Sequence, residues 1–289
     1  MVYDVIIIGM GPAGISASLY TQRAGMRTLV IGTDFGSLGK TAKIENYYGF
    51  PRPVSGRELA EAGVNQAERI GAKILKEEVI NVGFDRNYIV KTKYEKYHAR
   101  ALILATGTKR NSVKIEGIER FEGKGISYCA ICDGFFYRGK DVAVIGEGDY
   151  AISEAMELVP IANSVTMLTN GKPPIENRSS EIKINEKPIQ KIVGEERVKE
   201  VRFADDTNLE TDGIFVAVGT ASSTDFAKKL SAQIEGRYIK VNEDMKTNIP
   251  GLFAAGDCTG GLLQISKAVA DGAKAGISAV NYVRSHKNK

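Results

Sequence analysis

The chain has 289 residues, 43% of them hydrophobic and 26% charged, as expected of an ordinary water-soluble protein with one large or two medium domains. Acidic and basic residues are mixed along it, and a formal charge of +4 is too small and too dispersed for a nucleic-acid surface, though it permits docking to a strongly acidic protein. No apolar run is long enough to cross a bilayer, no cationic leader precedes the first strand, and three cysteines do not make a secreted disulfide scaffold, so the expected location is cytoplasmic, with neither membrane nor nucleic acid as partner.

Val2 to Ile8 is a run rich in β-branched residues, followed by the turn Gly9-Met10-Gly11-Pro12-Ala13-Gly14. A helix then carries Ile15, Leu19 and Tyr20 on one face to about Ala24, and Thr28 to Ile31 is the next strand. Glycines at such a junction have defined tasks. Gly9 permits the bend, Gly11 lets the backbone approach a pyrophosphate, and Gly14 lets the helix pack close to the strand. The helix N-terminus adds amide donors and a positive dipole, so the chain should open on a dinucleotide site. The acidic residue expected at the end of the second strand, a ribose ligand, is absent. Gly32 stands there, with Asp34 close by.

A helix is expected from about Ser55 to Ile70, short strands between Ala72 and Val90, and a buried strand from Ala101 to Ala105 that ends at Thr106-Gly107. Cys129-Ala130-Ile131-Cys132 follows. A zinc site would need two more ligands, and Cys258, His98 and His286 are scattered without ligand spacing, so no metal is expected. A CxxC beside a helix start favours the thiolate and suits disulfide exchange. A dithiol next to a dinucleotide site therefore reads as an enzyme that moves electrons between a cofactor and a disulfide. Cys258, alone, reads as a small buried residue. Asp133 is either a helix N-cap or a proton donor and acceptor for the thiols, and its position alone favours neither.

The pattern then restarts. Asp141 to Ile145 is a strand leading to Gly146-Glu147-Gly148-Asp149-Tyr150-Ala151, a helix runs through Glu157, and Ser164 to Leu168 is another strand. Ile214 to Val218 mirrors the strand that ended at Thr106, and Gly251 to Asp257 is a strand and turn before a long helix from about Leu263 to Arg284. The expected fold is α/β, with two Rossmann-like three-layer (ββα) dinucleotide-binding domains, the second inserted in the first. The boundaries are 1–111, 112–240 and 241–289.

Together these residues resemble the low-molecular-weight thioredoxin reductases. The likeness covers nearly the whole chain and rests on Gly9 to Gly14, Glu45-Asn46, Ala105-Thr106-Gly107, Cys129 to Gly134 and Ala255-Gly256-Asp257. It implies an FAD domain interrupted by a smaller pyridine-nucleotide-type domain carrying the dithiol, in a homodimer. It implies FAD contacts from Gly9, Gly11, Pro12, Ala13, Gly14, Gly36, Asn46, Ala105, Thr106, Gly107, Gly256, Asp257, Gln264 and Ile265, with Asp257 on the ribityl and phosphate region. It further implies that Cys132 faces the flavin and forms the transient bond to it, that Cys129 attacks the disulfide of thioredoxin, and that Asp133 shuttles the proton.

The chain departs from that family in two places. The Gly-Gly-Gln near the adenosine reads Phe35-Gly36-Ser37. NADPH-dependent members carry His-Arg-Arg at the end of the strand that here reads Val165-Thr166-Met167-Leu168, and those arginines grip the 2′-phosphate. This chain has Thr169-Asn170-Gly171-Lys172-Pro173-Pro174, and the helix expected afterwards is replaced by a short prolyl stretch and strand-like sequence. Two lost charge-assisted hydrogen bonds are worth roughly 3–6 kcal/mol, or about 10²–10⁴ in affinity. Glu147 and Asp149 in the second turn act in the same direction, since a carboxylate about 4 Å from a phosphate costs roughly 1–4 kcal/mol. Lys172 and Arg178 are the cations that could offset the loss. The sequence is thus most similar to the ferredoxin-dependent flavin thioredoxin reductases, which implies FAD as the sole bound cofactor, ferredoxin as donor and thioredoxin as acceptor. The alternatives are an NADPH-dependent thioredoxin reductase with an unusual phosphate site, a flavin redox sensor without turnover, and a ferredoxin–NADP reductase, against which the two cysteines argue.

Overall fold

The structure, a computed structural model, describes residues 1–107, 114–173 and 179–286. It divides into two compact units, one built from Met1–Lys109 and Ser222–Lys289, the other from Arg110–Ala221.

The first unit begins with β1 (Val2–Ile8), α1 (Pro12–Arg23), β2 (Thr28–Ile31), α2 (Gly56–Arg69), β3 (Lys73–Leu75), β4 (Val79–Asp85), β5 (Asn87–Thr92) and β6 (Lys96–Leu104). The strands join in the order β3-β2-β1-β6-β5-β4, parallel from β3 to β6 and antiparallel from β6 to β4. β1 is the central strand, and Val5, Ile6 and Ile7 are wholly buried because both sheet faces are covered. Ser55 starts α2 with a capping box, its hydroxyl accepting from the Glu58 amide while the Glu58 carboxylate accepts from the Ser55 amide.

The second unit runs through α3 (Ile118–Phe121), β7 (Ile126–Ser127), α4 (Ala130–Asp133), β8 (Asp141–Ile145), α5 (Asp149–Leu158), β9 (Ser164–Leu168), β10 (Ile182–Asn185), β11 (Ile189–Gly194), β12 (Val198–Phe203), β13 (Asn208–Glu210) and β14 (Gly213–Val216). Its main sheet is fully parallel, in the order β10-β9-β8-β14-β7, and β11, β12 and β13 form a separate antiparallel sheet. The sequence predicts no helix after β9, and residues 174–178 of that connection lie outside the described residues. Among the described residues, a tight turn at Thr169–Lys172 leads on to β10, which pairs directly with β9.

The chain rejoins the first unit with α6 (Ser223–Lys229), β15 (Ile234–Glu235), β16 (Tyr238–Ile239), β17 (Leu252–Ala254) and α7 (Ile265–Ser285). β17 adds in parallel to the C-terminal half of β6. α7 lies along α1 at unusually short range: a Cβ on Gly272 would stand 2.1 Å from the Ala13 carbonyl oxygen, and one on Gly276 2.7 Å from that of Ala17. Sequence placed this return at residue 240. It occurs at Ser222, because a second capping box, Ser222 with Asp225, starts α6, and that helix packs on β4, β6 and β16 of the first unit. No helix among the described residues is long and apolar enough to cross a membrane.

Candidate active site and cofactor seat

The first glycine turn has the shape its spacing predicts. Gly9 is at φ +119, and a Cβ on it would stand 2.2 Å from the Ala105 carbonyl oxygen; one on Gly14 would stand 2.0 Å from the Gly9 oxygen. Gly11 is different. A Cβ there meets only the Phe35 oxygen, at 4.0 Å, so the space over the start of α1 is open. Gly11 caps α1 without a side-chain hydrogen bond, Pro12 takes the first helical position, and the first turn holds no acidic residue. Ala13 follows, buried. An open cradle over helix amides, with no acidic residue in the first turn, fits the pyrophosphate of a dinucleotide.

Two distant segments meet this turn. Ala105 donates its amide to the Ile8 oxygen (2.8 Å), while the Thr106 amide donates to Ser223 Oγ (2.9 Å) and the Ser223 amide to Thr106 Oγ1 (2.7 Å). Gly107 follows at φ +73. Gly256, at φ +84, lies against Ala13, since its Cβ would stand 2.9 Å from that of Ala13. Its amide donates to Asp271 (3.2 Å) and its oxygen accepts from Lys267 Nζ (2.9 Å), so an ion pair on α7 holds both sides of the turn that presents Asp257. Asn46 Nδ2 donates to Gln264 Oε1 at 3.0 Å, bringing together residues 218 apart in sequence at the start of α7. Gln264 caps α7 without a side-chain bond, and Ile265 packs beside Leu38, Ile44 and Ala60. Gly36, at φ +62, takes a 2.6 Å bond from its amide to Asp34 Oδ1.

The acidic residue missing at the end of β2 has a steric explanation. A Cβ on Gly32 would stand 2.8 Å from Met10 Cγ, so the buried Met10 side chain occupies that corner.

The dithiol occupies the single turn α4 of the second unit. Cys129 and Cys132 are joined as a disulfide, with Cα atoms 5.3 Å apart. Cys129 is the N-cap, and the Cys132 amide donates to its Sγ at 3.2 Å, an interaction that favours negative charge on Cys129 once the bond is reduced. Cys129 is 3% exposed, whereas Cys132 is exposed. Asp133 caps nothing: its side chain makes no bond to the turn Gly134–Tyr137 that follows it. Instead Ser127 Oγ donates to Asp133 Oδ2 at 2.6 Å and accepts from the Cys129 amide at 3.1 Å, linking the carboxylate to the Cys129 backbone through one hydroxyl. From α5, the buried Glu154 carboxylate accepts the Ala130 amide at 2.8 Å. Ile131, Phe135 and Phe136 are exposed around the pair.

Sequence reasoning missed Ser127, Glu154, Ser223, Lys267 and Asp271. Ser223 had a local signal beside it, the Ser-x-x-Asp capping box at Ser222–Asp225, and Lys267 with Asp271 had i,i+4 spacing.

Cys258 is buried, with its thiol 3.3 Å from the Ala255 oxygen, and burial pushes it up to about 11. The second glycine turn carries an ion pair between Glu147 and Lys172. Arg178, the other cation considered for a phosphate contact, lies outside the described residues.

The sequence profile of the pyridine nucleotide-disulphide oxidoreductases matches residues 3–272. A thioredoxin reductase of Aquifex aeolicus is 39% identical, the alignment covering 99% of this chain and 95% of that protein. The crystal structure of the atypical thioredoxin reductase TRi of Desulfovibrio vulgaris Hildenborough superposes with a TM-score of 0.91 at 41% identity, over 98% of each chain. A ferredoxin-flavin thioredoxin reductase of Clostridium acetobutylicum superposes with a TM-score of 0.70 at 33% identity, over 98% of this chain and 99% of that one.

Proposed function

We propose, for a chain that belongs to the pyridine nucleotide-disulphide oxidoreductase family and is an FAD-binding thioredoxin reductase, that electrons arrive from reduced ferredoxin and leave through Cys129 and Cys132 to thioredoxin. The observation that carries this reading is the second glycine turn, where a nucleotide phosphate would meet Glu147 already paired with Lys172 and no arginine at the end of β9. The likeness to a ferredoxin-flavin enzyme supports it.

The seat fits FAD, which when bound supplies a carrier able to take electrons singly and deliver them in pairs. The amides at the start of α1 would hold its pyrophosphate, Asp257 its ribityl side, and Asn46 with Gln264 the start of α7 beside it. The reduced dithiol then works by exchange. The Cys129 thiolate, held by the Cys132 amide, attacks one sulfur of the thioredoxin disulfide, which breaks and leaves a mixed disulfide. Cys132 attacks the Cys129 sulfur, the Cys129–Cys132 bond re-forms, and thioredoxin leaves as a dithiol. Two electrons and two protons pass to thioredoxin, and Asp133, oriented by Ser127, moves a proton at its carboxylate. Because Cys129 is the buried partner, the exchange requires its sulfur to become accessible; Ile131, Phe135 and Phe136 offer thioredoxin an apolar landing area beside it. A cytoplasmic homodimer belongs to the same reading.

The test is steady-state reduction of thioredoxin without oxygen. Reduced ferredoxin should sustain many turnovers and NADPH none. Turnover with NADPH and not with ferredoxin would establish the pyridine-nucleotide alternative, and no turnover with either would favour a redox sensor.

A further inference from the structure

The two glycine turns share one backbone. Gly146 is at φ +158, and a Cβ on it would stand 2.3 Å from the Ala217 oxygen, as one on Gly9 would stand 2.2 Å from that of Ala105. Gly148 and Gly11 both cap the next helix with extended backbone, at ψ −179 and −177. They part at the residue between the glycines. Met10 turns its apolar side chain onto Gly32, just past the end of β2. Glu147 instead reaches toward the turn past the end of β9, where its carboxylate pairs with Lys172 Nζ. In a dinucleotide-binding βαβ unit the corner past the second strand holds the adenosine ribose and any 2′-phosphate.

Lys172 is placed by its own turn rather than by Glu147. Thr169 Oγ1 donates to the Lys172 oxygen, the Gly171 amide donates to the Glu186 oxygen at 2.8 Å, and the Ile189 amide donates to Asn170 Oδ1 at 2.7 Å. Removing the carboxylate therefore leaves the backbone of this turn in place and takes away the partner of the Lys172 ammonium group.

We propose that Glu147 is a selectivity residue: it fills the ribose corner of the second unit and occupies Lys172, and so denies that unit a 2′-phosphorylated pyridine dinucleotide. The proposal rests on the reading that the donor is not a pyridine nucleotide. It adds that one side chain, on an otherwise intact nucleotide turn, accounts for much of the exclusion. Asp149, at the first position of α5, remains as a second negative group in the same turn.

The test is anaerobic calorimetric titration of the FAD-loaded enzyme with NADPH and with NADH, for wild type, E147Q, E147S and E147Q/K172M. Regaining one charge-assisted contact should tighten NADPH about 10–100-fold in E147Q. NADH, which lacks the phosphate, should gain clearly less, and E147Q/K172M should lose the NADPH gain. E147S repeats the test with a short side chain, and the flavin spectrum with ferredoxin-driven turnover verifies that each variant is folded. Unchanged NADPH affinity in both single variants, or an equal gain for the two coenzymes, overturns the proposal and leaves the donor reading standing. Tight NADPH binding and flavin reduction by wild type would overturn both.

Discussion

Gly11→Ala separates the cofactor seat from the fold. In the free chain the substitution is nearly neutral. Gly11 sits at φ −76 and ψ −177, which alanine adopts freely, and the new methyl group would have only the Phe35 oxygen near it, at 4.0 Å. Alanine is a poorer N-cap than glycine, by about 0.5–1 kcal/mol, but it reduces unfolded-chain entropy by about 0.4–1 kcal/mol, so the two effects roughly cancel. With FAD bound the methyl group would stand in the open space over the helix amides. Losing two charge-assisted bonds to the pyrophosphate would cost roughly 3–6 kcal/mol, or about 10²–10⁴ in affinity. Gly14→Ala provides the contrast. Its Cβ would stand 2.0 Å from the Gly9 oxygen, so the main chain itself must move and the free chain should be destabilised. Thermal unfolding of the apoprotein, paired with FAD titration followed by flavin fluorescence, measures both quantities. A Gly11→Ala protein that binds FAD as wild type does would refute the placement of the pyrophosphate.

Further outcomes follow from the dithiol and from Cys258. Cys132→Ser should retain FAD and its absorbance but lose thioredoxin reduction in the turnover assay; retained turnover would remove the exchange mechanism. Ser127→Ala deletes the hydroxyl that joins Asp133 to the Cys129 amide and should slow thioredoxin reduction about 10–100-fold without altering FAD content, as a charge-assisted bond of roughly 1.5–3 kcal/mol is lost. Cys258 keeps its proton in the folded protein up to about 11, against about 9 when unfolded. The folded state thus binds that proton more tightly, and the stability it contributes is full below about 9 and lost as pH rises through about 11. Chemical denaturation across that window should show a decline that Cys258→Ala flattens.

The parts legible in the sequence are those whose chemistry is local. Gly9, Gly11 and Gly14 announce themselves because the bend, the open cradle and the close helix each need a missing Cβ within six consecutive residues. The CxxC announces itself because both sulfurs and the helix start lie within one turn. Contacts that need the fold were silent. Nothing in the sequence around Glu154 shows that α5 brings its carboxylate to the Ala130 amide. The Lys267–Asp271 pair could be read as an ordinary i,i+4 pair, yet its task is to hold Gly256. The absent acid at Gly32 looked like a gap in a motif, and only the packed Met10 side chain shows why no side chain fits there. The return to the first unit was placed too late because the apolar strand at Leu252 is a louder signal than a four-residue capping box. Asp133 could not be resolved from position alone; its bond to Ser127 excludes the capping role.

On the proposed reading the second unit delivers no electrons from a pyridine nucleotide. Rapid mixing of the oxidised holoenzyme with each donor under argon, with the flavin band followed in time, addresses it directly. Reduced ferredoxin should bleach the band fast, and NADPH at micromolar concentration should leave the spectrum unchanged. Fast bleaching by NADPH, with ferredoxin inert, would contradict that reading.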